Sequence, residues 1–331
     1  MGDAGTCGQG GELDPRWLQI LRESMGHRPY ALVARRSGPD GDICGYLPLA
    51  LVAGRLFGRF LVSLPYLNRG GLVADDANIA DTLIDQAVAL GEKLNVQYLE
   101  LRHSAPVEHA TLPQGRNEKV RMVMELPGSG EALWQALSAK VRNQIRKGDR
   151  HELKVRWGGV PLLHDFYSVF CQNMRDLGTP VYPRRLFERV LEHFEGVAEL
   201  AIADWRAVPV AAALLIHGRE LCQVPSASSL RRHNDTCANM WLYHKLLERG
   251  IERGARQFDF GRSSEGSGTY KFKKQWGAEP CPTVWQYHVF RGEAGQLRPD
   301  APKYRRRVAA WQKLPVWLTR WVGPVIVRGI P

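Results

Sequence analysis

The chain has 331 residues, of which 44% are hydrophobic and 24% are charged, and its formal net charge is +11. This length suits two domains that each bury a core, and this composition excludes a disordered or fibrous protein. No apolar run approaches the roughly 20 residues of a membrane-spanning helix, and the first residues lack the basic and apolar parts of a secretory signal, so we expect a cytoplasmic protein.

The positive charge is concentrated in two segments. Residues 140–156 carry a net charge of +5 and residues 298–328 carry +7, so the rest of the chain is close to neutral. Two basic segments predict anionic partners, such as tRNA, a phosphorylated substrate or a lipid surface.

The six cysteines show neither metal-site spacing nor a paired framework. We therefore expect reduced and mostly buried thiols, and no metal site. They are Cys7, Cys44, Cys171, Cys222, Cys237 and Cys281.

Residues 14–128 are predicted to form a first domain, after a glycine-rich start over residues 1–13 that we expect to be disordered. Asp14 and Pro15 suit the start of a helix, and Asn78 is the predicted cap of another. The predicted elements are a helix over 14–25, strands over 30–36, 43–52 and 57–63, a loop over 65–71, a helix over 78–94 and a strand over 96–102.

Residues 129–152 are predicted to form a basic helix between the domains, helical over 129–150. Arg142, Arg146 and Arg150 recur every four residues on one face, away from an apolar face. This basic face can be a solvated surface, a surface that contacts phosphate or tRNA, or a clamp onto the other domain.

Residues 153–292 are predicted to form a second domain that repeats the order of the first. Its elements are helices over 162–177 and 184–195, strands over 198–205, 210–217 and 220–225, a helix over 235–253 and a strand from 257 that ends at Gly261. The run YLELRHS of the first half aligns with QFDFGRSS of the second, so that Glu100 and Asp259 occupy equivalent positions in the two halves. Each half is thus predicted to be an α/β domain with a mixed (α+β) sheet between helices.

The segment 257–277 has the strongest functional pattern. A strand is followed by a glycine-serine turn over 263–268 and by a short basic helix with Thr269 as its predicted cap. A helix start of this kind can hold an anionic or carbonyl-bearing ligand, and a lysine there can stabilise an oxyanion. The alternative is a solvated basic helix in which Phe272 and Trp276 belong to the core.

The run FDFGRSSEGSGTYKFKKQWGAEP resembles the C-terminal signature of FemAB-like proteins, which are relatives of the Fem peptidyltransferases, and is most similar to their exosortase and PEP-CTERM-associated subgroup. Three further stretches support the resemblance: SAKVRNQIRKGDRHEL, NMRDLGTPVYP and LPYLNRGG. The resemblance implies tandem GNAT-like domains and transfer of an acyl or aminoacyl group to a cell-envelope or exopolysaccharide-related precursor. It implies aminoacyl-tRNA or acyl-CoA as the donor and no permanently bound cofactor.

By this resemblance Lys273, together with Phe272, is the strongest site prediction, with Lys273 holding the oxyanion and Lys271 or Lys274 assisting. We predict from its place on the strand that Asp259 orients or deprotonates the attacking amine, or else pairs with Arg262. The remaining predicted substrate contacts are Tyr270, Arg262, Arg175, Tyr182, Asn68 and Arg69.

The loop that carries Arg175 and Tyr182 is explained nearly as well by helix-end packing. The stretch with Asn68 and Arg69 is expected to form a wall of the substrate cleft. No stretch matches the R/Q-x-x-G-x-G/A loop with which GNAT enzymes bind acyl-CoA, and this favours aminoacyl-tRNA as the donor.

Residues 293–331 form a basic, tryptophan-rich tail. Its helical spacing and its cations suit peripheral contact with the inner face of the plasma membrane, and packing onto the first domain is an equal alternative. A second functional hypothesis is a non-catalytic GNAT-fold protein that binds an envelope glycan or lipid-linked precursor at the membrane surface.

Overall fold

The computed structural model describes residues 13–54, 57–113, 115, 119–292 and 305–331. The expected disorder of the start therefore concerns residues that lie almost wholly outside the described ones. The chain divides into two compact units. Unit 1 contains Lys119–Cys281 and Arg306–Val322, and unit 2 contains the described residues of Glu12–Glu118, Pro282–Arg305 and Gly323–Pro331.

Unit 2 contains a six-stranded mixed sheet with the strand order β1-β2-β3-β5-β13, and β4 pairs with β2. Its elements are α1 (Arg16–Met25), β1 (Arg28–Arg35), β2 (Ile43–Gly54), β3 (Gly58–Val62), β4 (Val73–Ala74), α2 (Ala77–Lys93), β5 (Tyr98–His103) and β13 (Val284–Val289). Asp14 accepts from the backbone N–H of Arg16 at the start of α1 (2.9 Å). The cap of α2 is Asp76 and not Asn78, because the Asp76 carboxylate accepts from the N–H of Ile79 at 3.0 Å.

Unit 1 contains a seven-stranded sheet with the order β12-β6-β11-β10-β9-β8-β7. Its strands are β6 (Lys119–Glu125), β7 (Lys154–Gly158), β8 (Ala198–Trp205), β9 (Val208–His217), β10 (Leu221–Ser229), β11 (Gln257–Ser264) and β12 (Glu279–Pro282). Its helices are α3 (Gly130–Ala136), α4 (Ala139–Arg150), α5 (Leu163–Leu177), α6 (Arg184–His193), α7 (Ala238–Glu252) and α8 (Gly268–Lys274). The parallel pair in each sheet, β3–β5 and β10–β11, makes both sheets mixed.

Two strands lie in a different unit from the strand that precedes them in the sequence. β6 follows β5 in the chain but pairs with β11 in unit 1, and β13 follows β12 but pairs with β5 in unit 2. The unit boundaries therefore fall near residues 118 and 282, rather than at the predicted 128 and 292.

The predicted basic helix over 129–152 is two helices, α3 and α4. Leu137 between them is extended (ψ 142°), and Ser138 starts α4 by accepting from the N–H of Val141. Leu133, Val141 and their apolar neighbours belong to the core of unit 1. This segment is therefore a part of unit 1 and not a connector between the domains.

The described tail forms α9 (Arg305–Gln312) and α10 (Val316–Val327). Its part up to Val322 belongs to unit 1, where Nη1 of Arg175 donates to the carbonyl of Leu314 at 3.0 Å. Its last residues belong to unit 2, where the hydroxyl of Tyr66 donates to the carbonyl of Val327 at 3.2 Å. Within the described ranges, none of the helices combines the length and apolar character needed to cross a membrane.

Candidate active site

Strands β10 and β11 separate partway along their length. Their parallel pairing covers three residue pairs and stops at Gln223 and Asp259, although β10 continues to Ser229 and β11 to Ser264. Each strand also has an irregular register with its other neighbour just beyond that point. We call the space between the separated ends the β10–β11 gap, and strand edges that part in this way can pair with an extended, amide-bearing ligand.

The bulge in β11 depends on Gly261. This residue has a φ of 78°, which is in the left-handed region that glycine adopts without steric cost. The register of β11 with β6 shifts between Asp259 and Arg262. The strand therefore continues beyond Gly261, where the sequence pattern had predicted its end. The bulge turns neighbouring carbonyl groups toward α8.

Lys273 lies on α8 with its ammonium against this bulge. Its Nζ donates to the carbonyl oxygens of Gly261 at 3.1 Å and of Arg262 at 2.9 Å. Its side chain is buried, with 7% of the residue exposed. Since an ammonium carries three hydrogens, these two bonds leave the third for a ligand.

Burial lowers the pKa of Lys273 from 10.5 to about 8; the nearby Asp259 raises it and Arg262 lowers it. The ammonium is therefore still the main form at neutral pH. Helix α8 that carries it begins at Ser267, whose hydroxyl accepts from the N–H of Tyr270 (3.2 Å), and not at the predicted Thr269.

Asp259 is paired with an arginine that the sequence did not single out. Its Oδ2 accepts a hydrogen bond from Nε of Arg121 on β6 at 2.9 Å, and it lies 2.8 Å from Nη2 of the same guanidinium as an ion pair. Its Oδ1 accepts from the N–H of Gly261 at 2.8 Å. Both carboxylate oxygens are thus engaged, and the arginine that pairs with Asp259 is Arg121 rather than the predicted Arg262. The available signal was the arginine within the apolar run VRMVM.

Two polar side chains on the separating strands are buried without a hydrogen-bond partner among the described residues. They are Gln223 through its Nε2 and Ser263 through its Oγ, with 7% and 3% of each residue exposed. An unsatisfied buried polar group costs about 1–3 kcal/mol. A polar ligand in the β10–β11 gap could supply the missing bonds.

The other residues predicted on α8 and β11 differ in exposure. Lys271 and Lys274 are exposed, whereas Tyr270 and Arg262 are half-buried. Phe272 packs against Tyr243 of α7, with ring centroids 5.0 Å apart. This contact gives Phe272 a core role within unit 1.

The predicted contacts at the C-terminal end of α5 and on the loop that follows it are engaged in packing. Arg175 pairs with Asp176 (2.8 Å) and also bonds to the tail. The carbonyl of Tyr182 accepts from the hydroxyl of Tyr167 at 2.9 Å. These contacts favour the helix-end interpretation of both residues.

The arginines of α4 differ in their exposure to solvent and in their contacts with the rest of unit 1. Arg142 is half-buried and donates to the carbonyl of Trp134 (3.4 Å), and the guanidinium of Arg146 lies 5.3 Å from the Trp134 ring centroid. Arg146 and Arg150 are exposed, so this end of α4 presents positive charge to solvent.

At the corresponding position of unit 2, where the parallel β3–β5 pair ends, buried side chains bond to one another. The parallel pairing of β3 with β5 ends at Val62 and Glu100. Beyond it Arg102, 1% exposed, donates to Glu100 at 2.7 Å and to the carbonyl of Leu67 at 2.9 Å. The Arg102 guanidinium also stacks over Trp285, 4.1 Å from the ring centroid.

The loop beside this position packs onto unit 2. Arg69 is buried and donates to the hydroxyl of Ser104 at 3.1 Å, while Asn68 is half-buried. The cleft wall predicted for Asn68 and Arg69 thus remains a prediction, and the buried arginines of this region hold the loop on its own unit.

The described cysteines are free thiols, three of them buried, and Cys7 lies outside the described residues. Within the described part of the chain, no group of three or more His, Cys, Asp or Glu side chains could hold a metal ion.

Residues 136–274 match the family described as the acetyltransferase (GNAT) domain. No curated protein matches the sequence. Among solved structures, the chain is similar to FemX, with 13% identity over 83% of this chain and 91% of that one and a TM-score of 0.61. It is also similar to L-PGS from Bacillus licheniformis, with 13% identity over 86% and 95% of the two chains and a TM-score of 0.56.

A tandem GNAT protein from the clavulanic acid biosynthesis pathway has 13% identity over 81% of this chain and 84% of that one, with a TM-score of 0.51. These likenesses confirm the predicted mixed α/β fold with tandem GNAT-like domains. GNAT enzymes take their acyl donor, acyl-CoA, as a co-substrate. The matched segment includes the whole of β11 and α8, so the elements of the candidate site lie within the GNAT-like part of a chain that has the tandem GNAT fold.

Proposed function

We propose that this protein transfers an acyl or aminoacyl group to a cell-envelope precursor, and that the reaction takes place in the β10–β11 gap. The observation that carries the proposal is the buried ammonium of Lys273, which two backbone carbonyls hold beside the gap with one N–H left over. The acetyltransferase domain match over the same residues supports acyl transfer as the class of reaction.

In the proposed step, the amine nitrogen of the acceptor attacks the carbonyl carbon of the donor, and the carbonyl oxygen takes up negative charge. The bond to the donor's leaving oxygen or sulfur then breaks, the leaving group takes the proton that the amine loses, and an amide remains. Lys273 donates its third N–H to the negative oxygen. A positioned donor of this kind contributes about 3 kcal/mol to transition-state stabilisation.

We assign Asp259 a positioning role in place of proton abstraction. Both of its oxygens accept hydrogen bonds from Arg121 and from the N–H of Gly261, so neither is directed to an incoming amine. The carboxylate raises the pKa of Lys273 against the effect of burial. It therefore helps to keep the ammonium charged and fixes the bulge that orients it.

Aminoacyl-tRNA is the donor that we favour. The chain between β10 and α7 contains no glycine and forms a short 3-10 helix over Arg231–Thr236. The N–H of Ala238 at the start of α7 is taken by the hydroxyl of Thr236 (3.2 Å), which leaves less of this helix start for a pyrophosphate. Exposed arginines on α4 could instead contact the phosphates of an RNA.

We also place the reaction at the inner face of the plasma membrane. Residues 298–328 carry a net charge of +7, and anionic lipids attract such segments. Envelope precursors that are lipid-linked become accessible at that surface.

The test is a transfer assay with a pool of aminoacyl-tRNAs or acetyl-CoA as the donor and a nucleotide-linked muramyl pentapeptide as the acceptor. We expect Lys273→Met to lower turnover by about 100-fold or more, while the exposed neighbour variant Lys274→Met stays near wild type. Near-normal turnover of Lys273→Met would remove the oxyanion role. A wild-type protein that binds the acceptor but transfers from neither donor would support the non-catalytic alternative.

A further inference from the structure

Helix α10 has an apolar face that is open to solvent. Trp317 is 70% exposed, Trp321 is 76% exposed and Val325 is 72% exposed, which are the highest values among the large hydrophobic side chains that the structure describes. Residues four apart lie on the same side of a helix. The three side chains therefore form one continuous surface, which we call the tryptophan face.

The opposite side of α10 is buried in the protein. Thr319, Gly323 and Val327, again four residues apart, are all buried. This packing fixes the rotation of the helix about its axis and turns the tryptophan face outward. An exposed apolar surface that is held in place in this way is typical of an interaction site.

Positive charge accompanies the tryptophan face. Residues 305–331 carry six arginine and lysine residues and no acidic residue. Lys313, Arg320 and Arg328 are exposed, and Arg320 is also held over the ring of Tyr167, 5.0 Å from its centroid. The surface therefore combines tryptophan with cations, a combination that suits the boundary between lipid headgroups and acyl chains.

The length of α10 determines how it can meet a bilayer. It has 12 residues with Pro324 inside it, which is too short for a helix that spans the hydrocarbon core of about 30 Å. A short helix with one apolar and one protein-bound side lies in the plane of the interface.

We propose that the tryptophan face docks this protein on an anionic lipid surface, with Trp317, Trp321 and Val325 inserted among the headgroups. The inference deepens the proposed function and rests on it for its biological role, because an envelope acceptor is presented at such a surface. RNA is the less suitable occupant, because bases stack on aromatic rings but gain little from an exposed valine. Anionic lipid uses all three side chains and the cations.

The experiment is co-sedimentation of the full-length protein with vesicles of phosphatidylglycerol and phosphatidylcholine, or of phosphatidylcholine alone. We expect binding to the anionic vesicles, which weakens as salt is added. The double variant Trp317→Ser with Trp321→Ser should lower the partition coefficient by about tenfold or more. Replacing Lys313 and Arg328 by serine should weaken binding to anionic vesicles.

Two matched controls should bind like wild type. Ile43→Ser removes an apolar side chain that is 58% exposed in unit 2, and Arg184→Ser with Arg185→Ser removes two exposed cations from α6. Equal binding of wild type and the tryptophan variant would overturn the proposal, as would equal binding to both vesicle types. A loss of tRNA retention in the tryptophan variant with vesicle binding unchanged would make the face an RNA surface and would also overturn it.

Transfer to a soluble acceptor separates this proposal from the proposed function. The tryptophan variant should retain that activity, since its substitutions lie on α10 and not in the β10–β11 gap. Vesicle binding without any transfer in the wild type would contradict the proposed function and leave the docking surface standing. Transfer without vesicle binding would contradict the docking surface alone.

Discussion

Arg121 and Asp259 are 138 positions apart in the chain and form a buried ion pair with an Nη2 to Oδ2 distance of 2.8 Å. Arg121 is 1% exposed and Asp259 is 2% exposed. The pair joins β6, which begins directly after the first segment of unit 2 in the sequence, to β11, which carries the bulge of the candidate site. Arg121 on β6 therefore helps to hold the β11 bulge, whose carbonyl groups in turn position Lys273.

Replacing one partner of this pair should destabilise unit 1 strongly. In Arg121→Met the Asp259 carboxylate is left buried without a cation, which typically costs about 3–5 kcal/mol. The double variant Arg121→Met with Asp259→Asn should recover part of the loss, because no charge is then stranded. The free energy of unfolding from a urea titration measures both, and no recovery in the double variant would show that the pair does not act as a unit.

A surface pair provides the control for that experiment. Arg36 and Asp75 also form a salt bridge (2.9 Å), but their side chains are 58% and 54% exposed. Arg36→Met should have little measurable effect on unfolding, because exposed pairs contribute little. A comparable loss in both variants would mean that removing any arginine, and not burial of the remaining carboxylate, destabilises the protein.

The lowered pKa of Lys273 predicts a pH dependence of stability. Its pKa is about 8 in the folded protein and 10.5 ordinarily, so the unfolded chain binds more protons between these values, and stability rises with pH there. Below pH 8 both states are protonated and the cost of the buried charge, about 3 kcal/mol, is present in full. The free energy of unfolding of the wild type relative to Lys273→Met should therefore increase from pH 7.5 to 10.

The matched control for this measurement is Lys274→Met, one residue further along α8 and exposed. The free energy of unfolding of the wild type relative to Lys274→Met should not rise from pH 7.5 to 10, because burial imposes no cost on the charge of an exposed lysine. A flat difference for Lys273→Met as well would contradict a buried, charged Lys273.

Transfer activity of the wild type should fall as pH rises through about 8, since a neutral amine stabilises an oxyanion less well.

Much of the fold could be predicted from local patterns. Alternation and helical spacing located most helices and strands of both units, whereas the caps predicted at Asn78 and Thr269 are Asp76 and Ser267 in the structure. The alignment of YLELRHS with QFDFGRSS matched Glu100 to Asp259, and in the structure each of the two residues lies in the last residue pair of its parallel strands. These features depend on residues that are close in the chain.

The features that the sequence missed depend on distant contacts. Nothing local to 119–125 says that β6 pairs with β11, and so Arg121 could not be matched with Asp259. The break between α3 and α4 was missed because the apolar spacing continues across Leu137, which is itself buried. Burial of Lys273 in a basic helix was likewise invisible, since Lys271 and Lys274 share its pattern and are exposed.

The exposed end of α4 predicts a salt-dependent contact with tRNA if aminoacyl-tRNA is the donor. Arg146 and Arg150 are exposed, and replacing both by serine removes two potential phosphate contacts. Affinity for a pool of aminoacyl-tRNAs should fall, and the slope of log affinity against log salt should decrease by about 1 to 2. Filter binding at several salt concentrations measures this. The Arg184→Ser with Arg185→Ser variant should leave the slope unchanged, and an equal change in both would indicate general attraction to a basic protein.

The last prediction concerns the packing of α4 against α7. This packing holds the exposed arginines of α4 at the surface. A Cβ on Gly148 would lie 2.6 Å from the Trp241 ring, and Trp241 is fixed there by a bond from its Nε1 to Asp149 (2.8 Å). Gly148→Ala should therefore overpack this contact and cost about 1–3 kcal/mol in urea unfolding. Gly128→Ala, where a Cβ meets nothing within 4 Å, is the matched control and should be close to neutral; equal stability of the two variants would mean that α4 can move away from α7 without cost.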